Sequence, residues 1–127
     1  MPWFWREADE LSRAEIDGLA LRLLAEARSR LNKDLHRVLL LPPDITRAHS
    51  GSGRITETLY KALAEHCDVH VIPTLGQHVP HTAEQNRWMF GEIPNARIHV
   101  HDWLGGVKRV GVIPAQLVEQ TTGGVAD

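Results

Sequence analysis

Three short stretches of this chain carry residues able to do chemistry. The first is PPDITRAHSGSGR, where Asp44, Thr46 and Arg47 follow two prolines. The planar guanidinium of Arg47 can pair bidentately with a carboxylate or phosphate. Asp44 can orient Arg47 or accept from a ligand hydroxyl, and Thr46 can donate to an anionic oxygen. A purely structural account also exists, with Asp44 and Thr46 satisfying a turn after Pro43 and Arg47 in solvent. The second stretch is TLGQHVPH. Gly76 lets the backbone approach a ligand, and His78 offers an imidazole that exchanges protons near neutral pH. The third is HVHDW, in which His99 and His101 have the spacing of one strand face. With His78 or Asp102 they raise a zinc hypothesis, although spacing fixes no third ligand. Asp102 and Trp103 serve more simply to close a strand and wall a crevice. SGSGR lacks the Lys-Ser/Thr ending of a phosphate-binding loop, so its glycines and serines are equally explained as a helix cap.

These stretches share a position: each follows an apolar run of strand character. RVLLLP reads as a strand buried on both faces, DVHVIP as a second strand and ARIHVHDW as a third. VKRVGVIP reads as a fourth. Helical spacing of Ile16, Leu19, Ala20, Leu23, Leu24, Ala27 and Leu31 predicts a first helix with a solvated charged face. Ser12 and Glu15 form its capping box, with Leu11 and Ile16 as a hydrophobic staple. RITETLYKALAEHC predicts a second helix with Ile55, Leu59, Ala62 and Leu63 inward. TAEQNRWMFG predicts a short third, capped by Thr82 and Gln85 and stopped at Gly91. PAQLVEQTT predicts a last helix behind Pro114. Alternation of strand and helix implies an α/β fold, a small open, mainly parallel, Rossmann-like sheet with helices on both faces. Ligands of such sheets bind in the crevice beyond the carboxyl ends of the strands, where the three polar stretches fall.

Length and composition narrow the partners. The 127 residues suit a single α/β domain spanning 1–127, and 43% hydrophobic content suffices for a core. A net charge of −2 with dispersed basic residues argues against nucleic acid and anionic membranes as partners. The lone Cys67 excludes an internal disulfide and reads as a half-buried core residue. No signal-peptide pattern or run of membrane-spanning length is present, which makes a cytoplasmic location the expectation. Trp3, Phe4 and Trp5 form an aromatic opening that needs cover. The glycine-containing TTGGVAD suggests a domain cut from a longer protein.

DITR (44–47), GQH (76–78), PHTAEQ and HDW, in this order and spacing, resemble the amino-terminal domain of the nickel-dependent lactate racemase family. The resemblance runs from about Val38 to Trp103. It implies a two-domain isomerase, a racemase or epimerase of small 2-hydroxy acids, with the site between its domains. The implied cofactor is a nickel pincer nucleotide, held mainly by the carboxy-terminal part. On the same basis His78 matches an acid/base histidine and Arg47 the arginine that holds the substrate carboxylate. Asp44 joins substrate binding, and Thr46 and Gly76 face the cofactor. No metal ligand is assigned within this chain. Ala48 stands where the family commonly has proline, and Val79 where arginine often follows the histidine, which points away from lactate itself. A second acid/base histidine, the cofactor-bearing lysine and the nickel-binding histidine belong to later motifs, so the chain alone should not catalyse. A non-catalytic small-anion module and a zinc hydrolase using His78, His99 and His101 are the competing readings.

Overall fold

The computed structural model describes residues 7–125; the aromatic opening at residues 3–5 lies outside them. Helix α1 (Arg13–Leu31) begins at the expected capping box: the Glu15 amide donates to Ser12 Oγ and the Ser12 amide to Glu15 Oε2. Asn32, in the left-handed region, ends it. Strand β1 (Arg37–Leu40) leads through a 3-10 segment (Ile45–Ser50) into α2 (Ser52–Ala64). Strand β2 (Asp68–Val71) follows, then α3 (Ala83–Phe90), a short 3-10 turn (Asn95–Arg97) and α4 (Ala115–Thr122). The Thr82–Gln85 capping box and the stop at Gly91 are present as expected.

The strands pair in parallel from Arg37↔Asp68 to Leu40↔Val71, and the register continues to a bridge between Pro43 and Thr74. Val71, Met89, Phe90 and Ile93 form the buried core, with Leu40, Ile45, Tyr60 and Ile98 against it. Val71 and Phe90 are fully inaccessible. The α/β class and parallel open sheet thus agree with the sequence pattern.

Four details differ. β1 is not buried on both faces: Leu39, on the side away from the core, is 50% exposed. The third strand is reduced to one bridge, Ile98 to Val71, backed by the His99 amide donating to the Val71 carbonyl. A 3-10 turn immediately before it and a turn closed by the Gly105 amide on Asp102 Oδ1 leave few residues free to extend the pairing. Residues 107–114 form no strand. Their valines are strand formers, yet Val110 is wholly exposed and finds no ladder partner among the described residues; β-propensity without pairing does not make a strand.

The charged face of α1 is also not merely solvated. Asp17 takes both Arg54 Nε and Nη2, at 3.0 and 2.6 Å, and the Thr58 hydroxyl at 2.7 Å. These bonds, Arg54 first, hold its carboxyl down at about 2 and clamp α1 to α2. In the first turn of α2, Gly53 is required by close approach: a Cβ there would lie 2.1 Å from the Met89 carbonyl oxygen. Gly53→Ala therefore forces α2 off α3. Overpacking of this kind costs about 1–3 kcal/mol, read as a lowered midpoint in thermal or denaturant unfolding.

Candidate active site at the carboxyl ends of the strands

Parallel pairing carries both strands to the same end of the sheet, so the loops that leave them run side by side. The amide and hydroxyl of Thr74 both bond the Pro42 carbonyl, at 2.8 and 3.1 Å. Beyond this point one loop opens with Asp44. The other turns at Gly76, where the His78 amide closes onto the Leu75 carbonyl at 3.0 Å. Gly76 has φ +56°, a conformation glycine enters without steric penalty, and no atom lies within 4 Å of where a Cβ would stand. Its glycine is explained by the turn that aims His78.

That turn brings His78 Nδ1 onto Asp44 Oδ2. Asp44 is only 3% exposed, and its other oxygen accepts from the Thr46 amide at 3.0 Å and the Thr46 hydroxyl at 2.6 Å. Burial raises the carboxyl pKa. The Thr46 hydroxyl, then His78, then the Thr46 amide outweigh it and hold Asp44 below the usual carboxylate value. An ionised carboxylate only accepts, so the bridging proton resides on His78 Nδ1, and Nε2 is the ring nitrogen left to face a ligand. The His78 side chain is 52% exposed, which leaves Nε2 reachable. Arg47 Nη1 donates to Thr46 Oγ1 at 3.2 Å. One continuous chain therefore runs guanidinium, hydroxyl, carboxylate, imidazole.

Four of the five residues singled out from the sequence, Asp44, Thr46, Arg47 and His78, are brought together in this chain; Gly76 supports it from the turn. Of the readings offered for Asp44, the turn with Thr46 is present and the contact with Arg47 is not. The Asp44 oxygens are taken by Thr46 and His78, so it orients the histidine rather than Arg47. The signal for this was the shared register at Pro43 and Thr74, which no spacing within either loop displays. His81 was also missed, and it bonds the Ile45 amide at 2.9 Å.

His99 and His101 do not join His78. His99 Nε2 meets His70 Nδ1 at 2.6 Å on the open side of the sheet, beside Asp68 and Arg97. His101 Nδ1 is buried without a hydrogen-bond partner among the described residues. Among the described residues no three His, Cys, Asp or Glu side chains are grouped to hold a metal ion, which removes the support for a zinc site. A cleft of about 780 Å³ lies at the opposite end of the strands, lined by Arg28, Asn32, His36 and Cys67 among others. It is polar and wide open, and the Cys67 thiol there donates to the Leu35 carbonyl. No described helix is long and apolar enough to cross a membrane.

Fold and site together define an α/β domain that presents a carboxylate-backed imidazole and a guanidinium at its strand ends. The chain belongs to the family of the lactate racemase N-terminal domain, whose profile matches residues 13–114. A crystal structure of a protein from Thermotoga maritima has the same fold, with a TM-score of 0.64 and 22% identity. The similarity covers 94% of this chain and 29% of that one, so the present chain spans less than a third of that relative. No curated protein sequence gives a significant match.

Proposed function

We propose that this chain is the substrate-facing amino-terminal domain of a racemase or epimerase of small 2-hydroxy acids, completed by a carboxy-terminal domain and a nickel pincer nucleotide. The observation that carries this reading is the hydrogen-bonded chain Arg47–Thr46–Asp44–His78 in a member of the lactate racemase N-terminal domain family. A 2-hydroxy acid presents a carboxylate and, one carbon away, a hydroxyl. Arg47 holds the carboxylate through its fork. His78 Nε2 takes the hydroxyl proton of one enantiomer and returns it when that centre is rebuilt, while the second acid/base histidine that the resemblance implies serves the other. Asp44 stabilises the imidazolium formed in between, and its depressed pKa keeps the proton on His78.

Nickel would be held by donors of the carboxy-terminal part; among the described residues no three His, Cys, Asp or Glu side chains are grouped. What the described residues offer a bound nucleotide is Thr46 on an exposed loop and an unobstructed backbone at Gly76. When bound, the cofactor supplies the hydride acceptor. This chain supplies the anion clamp and the proton acceptor.

The test is stereochemical: a single enantiomer of a 2-hydroxy acid is incubated with the complete, cofactor-loaded enzyme and racemisation is followed. In that assay Arg47→Ala raises KM about 10- to 100-fold, the loss of one charge-assisted hydrogen-bonded pair. Unchanged KM removes Arg47 from the carboxylate, and no racemisation of any 2-hydroxy acid by the wild type sinks the assignment.

A further inference from the structure

We propose that His81 is a positioning residue of this site: its neutral ring fixes the height of the loop that presents Asp44 and Arg47. The role rests on the functional reading above. At the start of a helical turn the first amides have no partner within the turn. Here Asp44 serves the Thr46 amide through its side chain and the Arg47 amide through its carbonyl. That leaves the Ile45 amide, and His81 Nε2 accepts it at 2.9 Å.

An imidazole nitrogen that accepts carries no proton, so the neutral ring has its proton on Nδ1. Nδ1 faces Asn86 Oδ1 at 3.0 Å, the arrangement that tautomer requires. Asn86, itself buried, passes its amide NH2 to Asn95 Oδ1 at 2.8 Å. The ring also stacks on inaccessible Phe90, with centroids 6.1 Å apart and planes at 23°. His81 is therefore held by α3 on one side and holds the loop on the other.

The segment after β2 grips the loop at adjacent residues, His78 on Asp44 and His81 on Ile45. Two such grips fix both the position and the tilt of Asp44. With one removed, Asp44 can rotate away from His78 Nδ1. His81 thereby acts on the proton acceptor through the loop, without contact with any substrate.

Three variants separate this role from space filling. His81→Phe keeps the stack and loses both hydrogen bonds. His81→Asn keeps an Asn86 partner and loses the Ile45 acceptor. His81→Gln places an amide oxygen near the former Nε2. In the uniformly 15N-labelled 127-residue chain, the expected result is loss of the His78 Nδ1–H signature and faster exchange of the Ile45 amide in the Phe and Asn variants. The Gln variant restores both. In the complete enzyme kcat falls about tenfold in the same two variants and recovers in Gln. A His78 signature unchanged in His81→Asn overturns the proposal, as does Phe outperforming Gln. If His81→Phe does not fold, the Asn and Gln pair still decides. If the NMR order holds but wild-type enzyme racemises nothing, the positioning role stands and the functional reading fails.

Discussion

His78→Gln lowers kcat of the complete enzyme by about 10²- to 10⁴-fold, the range of a lost general acid–base group. Glutamine keeps a polar side chain of similar reach but cannot accept and return a proton. KM changes little, because Arg47 is untouched and its link to Thr46 is independent of the ring. Gln places its amide near the former Nε2 and leaves Oδ2 of buried Asp44 without its partner, so the variant also loses about 1–3 kcal/mol of stability and is assayed well below its unfolding midpoint. Steady-state kinetics with either enantiomer read the result. A fall in kcat below tenfold would show that His78 only donates a hydrogen bond, which is the behaviour of a small-anion binding module.

Asp44→Asn has a comparable effect by a different route. The carboxylate receives the Thr46 amide and hydroxyl on one oxygen and His78 Nδ1 on the other. Asparagine has one acceptor oxygen, which the two Thr46 donors claim. Its NH2 then faces Nδ1, which must accept, and the imidazole proton moves to Nε2. The nitrogen that should take the substrate proton is already occupied. Tautomer reversal in the serine-protease triad costs about 10⁴ in kcat, and a loss of about 10²- to 10⁴-fold is expected here with the hydrogen-bonded frame largely kept. NMR of the His78 ring nitrogens checks the cause directly: an Nδ1–H tautomer in the variant would refute it.

The same substitution has a pH signature. Asp44 has a folded pKa below its ordinary value, so its contribution to stability is complete above the unfolded carboxyl range and is lost as pH falls through the depressed folded value. Asparagine removes that dependence. Denaturant unfolding at successively lower pH should show wild type losing stability in this acid window, with the wild-type and variant curves converging.

Local chemistry was legible in the chain itself. Ser12 with Glu15, Thr82 with Gln85, and Gly91 announce helix ends, because capping acts over three or four residues and needs nothing from elsewhere. The strand character of RVLL and DVHV is likewise a property of short apolar runs. So is the concentration of polar chemistry just beyond them, which located Asp44, Thr46, Arg47 and His78.

Pairing was not legible, because it depends on which residues the fold brings together. The parallel register decided that Asp44 meets His78 rather than Arg47, across 34 positions of sequence. It also sent His99 to His70 and away from the candidate site. His81 has no distinguishing neighbour in the sequence; α3 supplies Asn86 and Phe90 around it. Residues 107–114 show the converse: strand-forming side chains that pair with no strand among the described residues remain irregular. The sequence determined which groups stand at the strand ends. Only the tertiary structure decided which of them share a proton, since a hydrogen bond needs two groups at one place and sequence specifies each of them separately.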